Sequence, residues 1–289
     1  VTATARRAAT VVSAPLAMAL VLAACTGGGA AAPPTASSPA SEGAGTANPD
    51  KVDAGELTVF GAASLTEALT AVKAAYQAAH PGTSLVISTD SSAALATQIE
   101  QGAPADVFLS ADTENARRLV DGGFARGQPV SFAANELAIV VPAGNPAGLA
   151  SPADLARPGL KVIAAGVEVP ITGYATQLVA NLAALPGYPA DFEAAYAANV
   201  VSREDNVKAV LAKIALGEGD AGIVYRTDAE SSPRVDTIAI PAGANVRASY
   251  AGVVVGSSPR PGAAQAFLDW LTGPAGQAIL ASFGFVAPS

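Results

Sequence analysis

Cysteine, histidine, methionine and tryptophan each occur once in this chain of 289 residues. The lone cysteine, Cys25, excludes an intramolecular disulfide, so a fold built from this sequence must rest on its hydrophobic core. No zinc-ligand cluster, no Walker glycine loop and no Ser-His-Asp set can be assembled around the single histidine. That residue, His80, stands before Pro81-Gly82 and reads as a partner for the C-terminal dipole of a helix. Basic residues are also scarce, 16 Lys and Arg against 24 Asp and Glu, for a net charge of −8. Nucleic acid is therefore excluded as a partner, because binding it needs a basic surface. Any anion bound by this chain must be held by local dipoles, since the net field repels it. These absences count against an enzyme and leave binding as the leading class.

Large side chains are missing from one whole stretch. Residues 26–50 are a Gly/Ala/Pro/Ser tract that cannot bury enough apolar surface to offset its ordering entropy. Before it, Arg6 and Arg7 precede an apolar run ending in Leu22-Ala23-Ala24-Cys25, which resembles a bacterial lipoprotein signal. The run is short for a membrane span and contains Pro15. Residues 1–24 are thus expected to be a cleaved signal peptide, Cys25 the lipidated first residue, and 25–52 a tether. This placement makes lipidation a better account of Cys25 than a catalytic thiol.

The remaining chain alternates β-runs with amphipathic segments, the pattern of an α/β fold with mostly parallel sheet. Strands are expected near Leu57–Phe60, Ser84–Ser88, Asp106–Ser110, Leu137–Val141, Lys161–Ala164, Ala221–Tyr225, Asp236–Ile240 and Ala251–Val255. Breaks at Pro142–Pro146 and Pro241–Asn245 suggest one lobe inserted into another through two crossings. The expected division is 53–143 plus 249–289 for the first lobe and 144–248 for the second.

Four junctions carry chemistry. After the first strand, Ser64 stands at a helix start with Glu67 three residues on, which predicts a capping box. Ser91 or Ser92 would cap the next helix in the same way. Val169-Pro170-Ile171-Thr172-Gly173 offers backbone amides at a third helix start. Ser202 and Asp205 read as another capping box, opening a helix with Val207, Val210, Leu211 and Ile214 on one face. A strand then ends in Tyr225, an O–H donor. Helix starts at the carboxyl edge of parallel strands present unpaired N–H groups, which suit an anion.

GAASLTEAL at 61–69, QIEQGAPADVFLSAD at 98–112, AGIVYRTDA at 221–229 and WLTGPAGQAILASFGF at 270–285 resemble the periplasmic molybdate-binding proteins. These are the solute-binding components of molybdate ABC importers. The resemblance runs from about Gly55 to Ala287 and implies the two-lobed type II periplasmic-binding-protein fold. It implies an oxyanion held by the hydroxyls of Ser64, Ser92 and Tyr225 and by the N–H groups of Ile171 and Val207. Ala63 and Ser91 could each add an amide. Molybdate or tungstate is the ligand and no cofactor is implied. The implied partners are an ABC permease and its ATPase, with the protein a monomer held at the outer face of the membrane through lipidated Cys25.

Molybdate is a fully deprotonated dianion at neutral pH, so its complement is a site of donors only. Phosphate keeps protons near neutral pH and gains from an acceptor. Asp90, which stands where the family usually has a small uncharged residue, and Asp205 are the residues that could tip the site toward phosphate. Phosphate or sulfate on the same fold is the alternative ligand.

Overall fold

Glycine 61 shows how closely the first helix lies on the first strand, since a Cβ there would overlap the Leu69 side chain. A computed structural model describes residues 55–288. The expected signal peptide, Cys25 and tether all lie outside the described residues. Strand β1 (Gly55–Ala62) leads through a 3-10 turn (Ala63–Leu65) into α1 (Thr66–Ala79). Then follow β2 (Thr83–Asp90), α2 (Ser92–Glu100), β3 (Val107–Ser110) and α3 (Glu114–Asp121). Both β2 and β3 run parallel to β1, and α1 and α2 bury Leu69, Val72, Leu95 and Ile99 against the strands.

The long strand β4 (Ala125–Pro142) changes partners along its length. Residues Ala125 to Glu136 pair antiparallel with β9 (Arg247–Val255), whereas Leu137 to Pro142 pair with β7 (Ala221–Tyr225) and β8 (Val235–Ile238). Beyond it lie β5 (Val162–Ala165), α4 (Pro170–Ala183), α5 (Phe192–Asn199), β6 (Val200–Glu204) and α6 (Val207–Ala215). A short helix α7 (Arg226–Glu230) follows β7, and α8 (Pro261–Thr272) and α9 (Pro274–Ser282) complete the described chain. The sheet order is β2-β1-β3-β9-β4-β7-β5-β6, with β8 also on β4. Within each half the parallel strands carry helices at their carboxyl ends, and the two sets of helix starts meet where β4 changes partners.

Three expectations change. The strand expected at Leu137–Val141 is only the end of an 18-residue strand. Its first part looks loop-like because of Gly127 and Pro129, yet β9 holds it across two register shifts. Ser202–Asp205 do not open a helix, because Val200–Glu204 pair with β5 and their backbone groups enter that ladder. Residues 226–230, without an expected structure, form α7.

Two packing expectations hold in the core. His80 caps α1, its N–H and Nδ1 both 2.9 Å from the Tyr76 carbonyl. Trp270 and Phe267 meet the Tyr76 ring at 5.2 and 5.0 Å, so these aromatics fasten α8 to α1.

Candidate anion-binding site

Ser64 occupies the middle of the 3-10 turn, so α1 starts two residues later and the expected capping box does not form. Thr66 Oγ1 takes the Ala63 carbonyl at 2.7 Å and tightens the turn. Ser64 Oγ instead lies 2.8 Å from the hydroxyl of Tyr250 on β9, and Glu67 reaches Lys208 Nζ at 2.7 Å. Freed from capping, the Ser64 hydroxyl is available at the end of β1.

Ser91 holds the N-cap position of α2, but its N–H is committed to Asp90 Oδ1 at 2.7 Å. The amide expected from Ser91 is therefore taken. Its hydroxyl, by contrast, is buried without a partner among the described residues. Ser92 Oγ accepts the Ala111 N–H at 3.0 Å, which leaves the Ser92 proton free to be donated elsewhere.

In the other half, Pro170 is the first residue of α4 and has no N–H, so the first amide this helix presents is that of Ile171. Val207 is the first residue of α6. Neither N–H has an intrahelical acceptor at these positions. Asn206, not Ser202, caps α6, its Oδ1 accepting the Ala209 N–H at 3.1 Å. Tyr225 ends β7 with its ring buried and its hydroxyl unpartnered among the described residues. Burial drives its pKa well above the ordinary tyrosine value, so the group stays protonated and keeps a proton to donate.

Ser64, Ser92, Ile171, Val207 and Tyr225, with Ala63 and Ser91, all line one tight cavity of about 10 Å³. Ser64, Ser91, Ser92, Ile171, Val207 and Tyr225 are only 1–4 % exposed, so a bound anion would be removed from bulk solvent. No acidic or basic side chain lines it. Asp90 Oδ1 is held by Ser91 N–H and by Asn206 Nδ2 at 3.0 Å, and Asp205 is exposed, so neither faces the cavity. The nearest cation, Lys208, is spent on Glu67 and on the buried Asp228, 2.7 and 3.0 Å away. Arg226 turns to Glu136 and the Gly284 carbonyl. A roomier cavity of about 240 Å³ lies beside α4, lined by Ala175, Tyr196 and Arg203. It lacks a convergence of unpaired buried donors, and the smaller cavity is the better anion site. No group of three or more metal-ligating side chains occurs among the described residues.

Three groups at the site escaped the sequence reading. Asn206 had a usable signal, an Asn directly before the apolar-periodic Val207–Ile214 run, but the Ser202/Asp205 pair competed with it. The Ser91 hydroxyl was overlooked in favour of its amide. Tyr250 had no local signal, because it is brought in by strand pairing alone.

The family described as bacterial extracellular solute-binding protein matches residues 57–286. The molybdate-binding protein ModA of Mycobacterium tuberculosis H37Rv is 38 % identical over 253 residues, covering 87 % of this chain and 91 % of its own. The ModA of Haemophilus influenzae is 31 % identical, covering 80 % and 90 %. Among solved structures, the periplasmic molybdate-binding protein of Azotobacter vinelandii aligns with a TM-score of 0.66 at 25 % identity, over 81 % of this chain and all of that one. The sulfate-binding protein SubI of M. tuberculosis shares the fold, with a TM-score of 0.69 at 24 % identity over 80 % and 86 %.

Proposed function

Because the chain belongs to the bacterial extracellular solute-binding proteins, we propose that it captures molybdate, and tungstate with it, in the cavity between its two sheet halves. It then delivers the anion to an ABC permease and its ATPase. One observation carries this reading: the cavity gathers hydroxyls and amides and contains neither a carboxylate nor a cation. A dianion whose oxygens only accept is matched by such a set, and a protonated anion such as phosphate meets no carboxylate to take its proton. Hydrogen bonds to a charged group contribute about 1.5–3 kcal/mol each. Helix N-termini add about 0.3–1 kcal/mol apiece. Three helix starts and three hydroxyls are therefore sufficient without a Lys or Arg in contact.

The division of donors supports a closing mechanism. Ser64 and Ser92 belong to the half built on β1–β3 and β9, and Ile171, Val207 and Tyr225 to the half built on β5–β7. A ligand that contacts both halves only when they are closed shifts the equilibrium toward closure, and the closed form is what the permease would receive. We take these halves as the lobes. The change of strand partner at Glu136/Leu137 supports a first crossing near that pair. In the same reading the protein is a monomer outside the cytoplasm, tethered by a lipid on Cys25. The sequence around Cys25 supports that anchor.

Competition titration with molybdate, tungstate, sulfate and phosphate tests the ligand. Tight binding of the first two with negligible phosphate binding is the expected outcome. Preferred phosphate binding would overturn the donor-only argument, and equal sulfate binding would reassign the ligand by size. Compaction in solution scattering on adding molybdate checks the closure.

A further inference from the structure

Asp90 is the residue that the donor-only cavity leaves without a task. It ends β2 immediately before α2, and it does not line the cavity. Its Oδ1 nevertheless accepts two hydrogen bonds, from Ser91 N–H at 2.7 Å and from Asn206 Nδ2 at 3.0 Å. Asn206 is fixed at its other end, because its Oδ1 accepts Ala209 N–H at 3.1 Å and so caps α6. The amide orientation follows from these partners, an acceptor toward Ala209 and a donor toward Asp90. One carboxylate oxygen thus joins the N-terminus of α2 to that of α6. These helices sit in different halves of the sheet, 116 residues apart at the joined positions.

The consequence for the site is geometric. Ser92, two residues after Asp90, lines the cavity, as do Asn206 and its neighbour Val207. We infer that Asp90 and Asn206 form a positioning clasp, which sets the spacing of α2 and α6 across the cavity and favours the closed cleft. This rests on the anion-binding reading above. An acidic residue beside a dianion site costs repulsion, and its retention here needs a compensating gain. A hydrogen bond across the cleft supplies one, because it forms only when the two halves meet. The acceptor oxygen, not the charge, carries the clasp. An asparagine at position 90 would keep an acceptor for both N–H donors and remove the repulsion.

The test compares molybdate affinity and dissociation rate for the full chain and for Asp90→Ala, Asp90→Asn, Asn206→Ala and the double alanine variant. Asp90→Ala and Asn206→Ala are each expected to weaken binding about tenfold, mainly through faster dissociation. The double variant should lose less than the product of the two single losses, since both changes break the shared Asp90–Asn206 bond while each also breaks one contact of its own. Asp90→Asn should bind at least as well as the unmodified chain. The ligand-free Asp90→Ala protein should also scatter as a more open particle. Unchanged affinity in Asp90→Ala overturns the clasp, as do strictly multiplicative losses in the double variant. A loss in Asp90→Asn equal to that in Asp90→Ala would overturn it too. If the unmodified chain fails to bind molybdate, the oxyanion reading falls and the clasp with it. The two failures are therefore separable.

Discussion

Ser64 and Tyr250, 186 residues apart in the chain, hold their hydroxyls 2.8 Å from each other. Either can donate in that bond, but the arrangement that serves an anion is Tyr250 donating to Ser64 so that Ser64 donates into the cavity. Burial raises the Tyr250 phenol well above its ordinary value, so its proton is retained. Tyr250→Phe removes that orienting partner without touching the cavity lining. Molybdate affinity should fall about 2–10-fold, the value of one neutral hydrogen bond, as read by calorimetry. Unchanged affinity would mean that Ser64 is oriented by something else.

Ser91 and Ser92 are adjacent but should respond differently to removal. Ser92 Oγ accepts the Ala111 N–H, so Ser92→Ala leaves a buried donor unmet and costs about 1–3 kcal/mol of stability besides weakening binding. Ser91 Oγ has no partner among the described residues, so Ser91→Ala should cost no stability in the ligand-free protein while still weakening binding. Urea midpoints paired with titrations separate the two. Equal destabilisation by both changes would contradict the assigned hydrogen bonds.

How far the sequence foretold this site depended on whether each signal was local. The apolar face Val207, Val210, Leu211 and Ile214 gave α6 by its spacing, and all four residues are buried. Ile171 and Tyr225 were likewise legible, one as an amide after a proline at a helix start, the other as a strand end. What failed was decided by distant partners. Glu67 suits a capping box, yet Lys208 lies 141 residues away and takes it. Ser202 and Asp205 carry a helix-start pattern, but β5 recruits Val200–Glu204 into a ladder that local propensity cannot foresee. Asp90 is the clearest case. Its neighbours in sequence suggest a cap or an inward acceptor, and only the fold supplies Asn206.

Tyr225 offers a test in which stability and function move in opposite directions. Its hydroxyl is fully buried and has no partner in the ligand-free protein among the described residues. An unmet buried hydroxyl costs about 1–3 kcal/mol. Tyr225→Phe should therefore leave the ligand-free protein as stable or more stable, by up to that amount. The same change deletes a donor to the anion and should weaken molybdate binding by about tenfold or more. Thermal melting with and without molybdate reads both effects. A destabilised ligand-free variant would show that the hydroxyl has a structural partner.

Asp228 links stability to pH with a sign opposite to that of a surface salt bridge. The side chain is fully buried, and burial raises its pKa from 3.8 to about 6, outweighing Lys208 at 3.0 Å. Burial acts on Lys208 in the opposite sense, but Asp228 and Glu67 together raise it, so this cation persists across the range where Asp228 titrates. The folded state therefore keeps a proton on Asp228 that the unfolded chain releases. The stabilisation from this group is complete below pH 3.8, declines as pH rises, and is gone above about 6, a total of about 3 kcal/mol. Carboxylates held low by partners, such as Glu100 beside Arg118, contribute with the reverse slope, so the effect must be read as a difference. Urea unfolding from pH 4 to 7 should show Asp228→Asn gaining stability relative to the unmodified protein as pH rises. A difference that stays flat over that window would place the ordinary carboxylate value on Asp228 and remove its burial penalty.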